Sequence, residues 1–238
     1  MTTERHVHRL LVVTAHPDDV DFGAAGTIAT LTDSGVEVGY CIVTDGDAGG
    51  FDPDVPRTEI PRIRREEQTA AAKELGVTEL QFLGYPDGAL VASLDLRRDI
   101  SREIRRFRPD VVMCQSPQRD FNRIYGSHPD HLAAGDATIS AVYPDARNPF
   151  TFTELITEGF EPHSAWQVWI MGGPTPNKWV DTTEQFDRKI RALLCHSSQL
   201  PDPSGMEARI RAWNESVAAA GGLPPGRTAE LFQVVETA

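Results

Sequence analysis

Residues 10–24 read Leu-Leu-Val-Val-Thr-Ala-His-Pro-Asp-Asp-Val-Asp-Phe-Gly-Ala, and the way this stretch changes character decides the fold. Leu10, Leu11, Val12 and Val13 show no polar alternation, which suits a parallel strand covered on both faces. The apolar run stops at His16, Asp18 and Asp19, so these side chains emerge at the strand's carboxyl end. In open α/β sheets that end, at a topological switch point, is where ligands bind. His16 and Asp19 are three positions apart, and a helical turn after the strand lets both face one spot. An imidazole nitrogen and a carboxylate oxygen both ligate Zn²⁺, and a catalytic site takes three protein ligands with one position open. The third ligand must come from elsewhere. The same run also reads as a plain turn, with Pro17 fixing φ and an aspartate capping the next helix. What separates the two readings is a second run, Ser127-His128-Pro129-Asp130-His131, again set between an apolar and a helical stretch. Two such clusters in two strand-to-helix loops exceed what capping requires.

Outward from this stretch, strand and helix alternate as a doubly wound sheet demands. Residues 23–33 form an alanine-rich helix stopped by Ser34-Gly35, and residues 36–44 a second strand that runs into the acidic, glycine-rich loop 45–50. Residues 61–75 read as a helix exposing Arg62, Arg65, Glu66 and Lys73. A third strand, 80–83, leads into Gly84-Tyr85-Pro86-Asp87-Gly88, and a helix with a basic solvent face follows at 94–107. A fourth strand, 111–114, hands on to a loop that delivers His128 and His131 to the helix 130–142. Under right-handed crossovers, strands one and four lie together at the sheet's centre and their loops can meet, the geometric condition for a shared metal. Residues 143–162 break the pattern and are expected to wall a pocket. Residues 166–171 and 178–180 read as two antiparallel additions to the sheet. Asp181-Thr182-Thr183-Glu184 has capping-box spacing for a helix whose buried stripe is Phe186, Ile190, Leu193 and Leu194. His196 reads as the cap of that helix's C-terminus. Residues 206–220 form another helix, 231–235 a final strand, and the whole of 1–238 one domain.

Twenty-three basic residues stand against 35 acidic ones, a net charge of −12, which argues against nucleic acid and anionic membranes as partners. Cys41, Cys114 and Cys195 are widely spaced, and the first two lie in strand-like runs, so neither disulfides nor a cysteine–zinc site is expected. No apolar stretch of about 18 residues is present, and the polar residues 2–6 lack a signal segment, so a cytoplasmic location is expected. The sequence leaves oligomeric state open, a homo-oligomer included.

Ala15-His16-Pro17-Asp18-Asp19 together with His128-Pro129-Asp130-His131 resembles the PIG-L or LmbE-like family of zinc-dependent N-acetylglucosaminyl deacetylases. Gly26-Thr27-Ile28, Thr44-Asp45-Gly46, Leu75-Gly76, Gly84-Tyr85-Pro86-Asp87 and residues 186–199 resemble further family blocks, so the likeness covers most of the chain. The resemblance implies a three-layer Rossmann-like fold, with a mostly parallel central sheet and helices on both faces. It implies His16, Asp19 and His131 as metal ligands, Asp18 as general base, His128 as the group stabilising the oxyanion and Asp130 as its orienting partner. Arg64 and Asp87 fall where the family contacts substrate, with Arg62 and Arg65 as close competitors. The substrates implied are N-acylated amino sugars or their small-molecule conjugates. One departure is visible: where many members carry glutamate, two residues beyond the second aspartate, this chain has Asp21.

The chemistry of these groups agrees with those roles. Two imidazoles and one carboxylate suit Zn²⁺, and other divalent transition metals fit the same mixed set. Amide hydrolysis needs an activated water, a charge acceptor for the tetrahedral oxygen and a proton for the leaving nitrogen. Asp19 pairs with His16 across three positions whereas Asp18 is only two away, so Asp19 is expected to bind metal and Asp18 to be the base, its pKa raised by burial and neighbouring carboxylates. A dinucleotide-binding enzyme would share the sheet, but carboxylates stand where a pyrophosphate needs glycines and amides. A non-catalytic sugar-binding or regulatory protein on the same fold would be expected to lack the base or a ligand, and here every candidate is present.

Overall fold

The computed structural model describes residues 5–121 and 124–237; the polar residues 2–4 and residues 122–123 of the loop before His128 lie outside the described residues. Seven strands form one sheet in the order β3-β2-β1-β4-β5-β7-β6. Strands β1 (Arg9–Thr14), β2 (Glu37–Thr44), β3 (Glu79–Tyr85), β4 (Val111–Gln115) and β5 (Gln167–Met171) pair in parallel, and β7 (Ala229–Glu236) runs antiparallel to both β5 and β6 (Lys178–Asp181). The fold is α/β with a mostly parallel sheet.

The unalternating run in β1 has the expected cause. Leu10 and Val12 pack on one face with Val20, Ala24 and Ile28 of α1 (Asp19–Asp33) and Ala71 and Ala72 of α2 (Ile60–Glu74). Leu11 and Val13 pack on the other with Leu96, Ile100 and Ile104 of α3 (Leu94–Phe107) and Ala134 and Ala137 of α4 (Pro129–Ser140). All four strand residues are buried, and each such side chain stabilises the fold by about 1.5–3 kcal/mol. The chain steps from β1 to β2 to β3 in one direction, then returns through α3 to β4 on β1's other flank. The loops after β1 and β4 therefore diverge to opposite faces and leave a crevice between them. Gly135 lets α4 approach the sheet: a Cβ there would lie 2.3 Å from the Gln115 carbonyl oxygen.

Three expectations are corrected. Strand β5 is parallel to β4, and only β7 is reversed against its neighbours, because an apolar run reads alike in either direction. Residues 143–162, with the short helix α5 (Thr153–Thr157), pack onto α3, where the buried Arg105 guanidinium donates to the carbonyls of Asp145, Ala146, Asn148 and Thr151. The basic face of α3 is thus partly structural, and Arg97, Arg98, Arg102 and Arg106 are each paired with acids. In α6 (Phe186–Leu194) Phe186, Ile190 and Leu193 are buried as expected, but Leu194 is exposed. Among the described residues no helix is long and apolar enough to cross a membrane.

A buried ion pair ties the C-terminal elements to α1. Lys189 Nζ donates to Glu230 Oε1 at 2.6 Å and to the Phe22 carbonyl at 2.7 Å, while the Glu230 oxygens accept from the Gly26 and Thr27 amides. Lys189→Met leaves that carboxylate buried without its cation, a loss of about 3–5 kcal/mol. Thermal unfolding is expected to fall by about 10 °C; a change within about 2 °C would show that the pair carries no weight.

Candidate active site

The Gln115 side chain, at the end of β4, accepts from the Ala15 amide at 2.8 Å and clips the ends of β1 and β4 together. Beyond Ala15 the chain turns through Asp18, whose φ of 90° lies in the left-handed region. The Asp18 carbonyl then accepts the Asp21 and Phe22 amides at 2.9 and 3.1 Å to open α1. That turn lets Asp19, the first residue of α1, fold back so that its Oδ2 accepts the His16 amide at 2.7 Å. From the opposite loop, His128 caps α4, its Nδ1 accepting from the Asp130 amide at 3.2 Å, and His131 follows in the first turn.

Two imidazole nitrogens and both Asp19 carboxylate oxygens converge at the crevice. His16 Nδ1 lies 3.4 Å from Asp19 Oδ2, His131 Nε2 lies 3.0 Å from Asp19 Oδ1, and the two nitrogens are 3.3 Å apart. Tetrahedral zinc with bonds of about 2.0–2.1 Å sets its ligand atoms about 3.3–3.4 Å apart. The residues present fit such an ion. On the far side of the His16 ring, Nε2 lies 3.1 Å from Asp87 Oδ1 and 3.3 Å from Asp130 Oδ2. Carboxylates in that position fix the tautomer and orientation of a ligating histidine, leaving Nδ1 for the metal side.

The electrostatics follow from burial and these contacts. Burial pushes Asp18 up from 3.8 to about 6, with Arg64 opposing and Asp19 assisting. For Asp19 burial works the same way, but the His131 and His16 imidazoles prevail and hold it well below 3.8. Burial pulls His16 down, yet the Asp19 and Asp87 carboxylates overcome it and raise the ring to about 11. His131 is likewise raised against burial by Asp19. His128 moves the other way, lowered by burial and by its two neighbouring imidazoles. Its Nδ1 accepts, so the proton of the neutral ring sits on Nε2.

Three expected roles differ in geometry. The Asp130 carboxylate does not orient His128; it accepts the Gly88 and Leu90 amides at 2.7 and 3.2 Å and faces His16, and only the Asp130 amide reaches His128. Asp87 sits against His16 rather than facing outward as a substrate contact, its other oxygen accepting the Ala48 amide. Arg64, expected to touch substrate, is 3% exposed and donates to the Pro17 and Gly46 carbonyls and to Asp18 Oδ2 at 3.0 Å. Its competitors are occupied, Arg62 by Glu59 and Glu66 and Arg65 by Asp45. Sequence reading missed Gln68, whose Oε1 accepts the Asp18 amide at 2.8 Å. The signal was present: Arg64, Glu67 and Gln68 recur at helical spacing on the face of α2 that also carries Ala71 and Ala72. A cleft of about 480 Å³ lies beside Arg64, between Gly49, Phe51, Ile63 and Leu200, and none of the metal-ligand candidates lines it.

Residues 11–142 match the family model PIG-L, described as GlcNAc-PI de-N-acetylase, and the chain belongs to this family. Its relatives include deacetylases of N-acetylglucosamine derivatives and conjugates. Diacetylchitobiose deacetylase of Thermococcus kodakarensis is 36% identical over 196 residues, covering 82% of this chain and 72% of the relative. The probable N-acetyl-alpha-D-glucosaminyl L-malate deacetylase 2 of Bacillus cereus is 35% identical, covering 82% and 84% of the two chains. Among solved structures, the N,N'-diacetylchitobiose deacetylase of Pyrococcus horikoshii in complex with its inhibitor superposes with a TM-score of 0.88 at 31% identity, over 96% of this chain and 84% of that one.

Proposed function

We propose that this chain is a metal-dependent N-deacetylase that removes an acetyl group from the amide nitrogen of an N-acetylated amino sugar or its small-molecule conjugate. The observation that carries the reading is the convergence of His16 Nδ1, Asp19 and His131 Nε2 within 3.0–3.4 Å of one another, beside an Asp18 carboxyl raised to about 6. The activities named for the Thermococcus and Bacillus relatives support the substrate class. His16, Asp19 and His131 would hold the ion, with Zn²⁺ first among divalent candidates. Bound there, such an ion supplies Lewis acidity and brings the pKa of water down to about 7.

The chain's own groups do the rest. Asp18 keeps Oδ2 on Arg64, so its other oxygen accepts the proton of the attacking water. Above about pH 6 the carboxylate is ionised and ready to do so. His128, with its proton on Nε2, donates a hydrogen bond to the carbonyl oxygen as charge builds there. Asp18 then passes its proton to the leaving nitrogen as the C–N bond breaks, giving acetate and a free amine. Asp87 and Asp130 hold the His16 ring. His128→Ala is expected to lower kcat by about 10²–10³ with metal content unchanged; metal loss in that variant would make His128 a ligand instead.

Acetate and free amine, measured together over N-acetylglucosamine, N,N'-diacetylchitobiose and N-acetylglucosaminyl conjugates, test the assignment. Equimolar release from at least one is expected. A fully metallated protein that releases no acetate from any of them would overturn it.

A further inference from the structure

Asp18 holds a left-handed backbone conformation, with φ 90° and ψ −27°, which a residue bearing a side chain keeps only when its surroundings enforce it. Arg64 secures the carboxylate, but the Asp18 amide is fixed by the Gln68 side chain alone among the described residues, Oε1 accepting at 2.8 Å. A side-chain amide can flip, and flipping Gln68 would set its NH₂ against the Asp18 N–H. What holds it is Asp21, whose Oδ2 accepts from Gln68 Nε2 at 2.9 Å. The same oxygen meets His196 Nε2 at 2.8 Å. Asp21, Gln68 and His196 are each no more than 1% exposed, and among the described residues His196 Nδ1 has no hydrogen-bond partner. Among the described residues the hydrogen bond to Asp21 is therefore the ring's one hydrogen bond. The turn that follows His196 is held to α2 by Glu67, which accepts from the Ser197 hydroxyl and from both the amide and hydroxyl of Ser198.

We propose that His196 is a positioning residue for Asp18: bonded to Asp21, it fixes the carboxylate that fixes Gln68, and Gln68 holds the backbone that aims the proton acceptor. This rests on the reading of Asp18 as that acceptor. The three residues come from three separate elements, α1, α2 and the turn after α6, so the aim of Asp18 depends on how the C-terminal half of the chain is docked. Asp21 takes both donors on one carboxylate oxygen, so losing either donor frees the other to shift.

Four variants test this, each assayed for folded fraction, metal content, kcat and KM. His196→Phe is expected to lower kcat by about 10–100-fold, the usual effect of losing an outer partner, with KM and metal content at parent values. His196→Gln keeps an N–H donor and is expected to recover most of that loss. Gln68→Met, similar in volume but without the amide, is expected to match His196→Phe, and it decides the matter if His196→Phe fails to fold. In crystals of the metal-free His196→Phe protein, Asp18 is expected to leave the left-handed conformation. Parent kcat in a folded His196→Phe or Gln68→Met protein overturns the proposal, as does a loss explained by metal content or folded fraction. Asp18→Asn is the control. If it is inactive while the other variants run at the parent rate, only the positioning role fails; if it runs near the parent rate, the reading of Asp18 as acceptor fails first.

Discussion

Asp18→Asn is expected to keep its metal and lose hydrolysis by about 10²–10⁴-fold, the range that a positioned proton acceptor contributes. Asparagine preserves the shape of the side chain and an oxygen for Arg64, but it cannot take a proton from water. The size of the effect follows from how the acceptor is matched to its task. An aspartate at 3.8 would fall about three units short of a water lowered to about 7. Burial closes roughly two of those units by raising Asp18 to about 6, a difference of about 3 kcal/mol at 1.36 kcal/mol per unit. The sign fixes the pH profile. Burial raises Asp18 and a bound cation opposes the rise, so the acidic limb of kcat/KM is expected above the range of a free aspartate. The same shift acts on stability in the opposite sense, because the unfolded chain sheds this proton first and the fold loses that contribution as pH rises from 3.8 to about 6. Asp19→Asn provides the contrast, since it should lose metal affinity together with activity. An Asp18→Asn protein that hydrolyses near the parent rate contradicts the assignment of the base.

His131→Ala carries the second large effect. It removes the proposed ligand that comes from the α4 side of the crevice, leaving His16 and Asp19 as a pair on the other side. Two protein groups are fewer than a catalytic zinc site uses. Metal affinity is expected to fall well beyond the 10–100-fold typical of outer partners, and hydrolysis to fall with it. Binding to the folded state alone stabilises a protein by about 2.7 kcal/mol at one hundred times the dissociation constant. Added Zn²⁺ should therefore raise the melting temperature of the parent protein and leave that of His131→Ala unmoved. Stoichiometric metal and full activity in His131→Ala would contradict the site.

The sheet's centre was legible because burial on both faces leaves an unmistakable mark, an apolar run without alternation that ends in polar groups, in β1 and again in β4. The direction of β5 carries no such mark, because it is set by the crossover that leads into it. Within the site, the meeting of two loops that leave neighbouring strands could be read from the sequence, and it was the family resemblance that implied His131 as the partner of His16 and Asp19. Arg64 could not be told from Arg62 and Arg65, since all three lie within four residues of one helix and only its docking decides which is buried. The family resemblance pairs Asp130 with His128, two positions before it, whereas the first turn of α4 aims the carboxylate across the crevice at His16, a contact between residues 114 positions apart that no local pattern announces. Asp21 and His196 meet across 175 positions, and no local pattern announces such a pair.

The most direct test is acetate release from whichever of the N-acetylglucosamine derivatives the parent protein hydrolyses, by protein stripped with chelator, before and after one equivalent of Zn²⁺. No release from the stripped protein, and release restored by the single equivalent, is the predicted result. Release at the same rate with and without the metal would contradict the account.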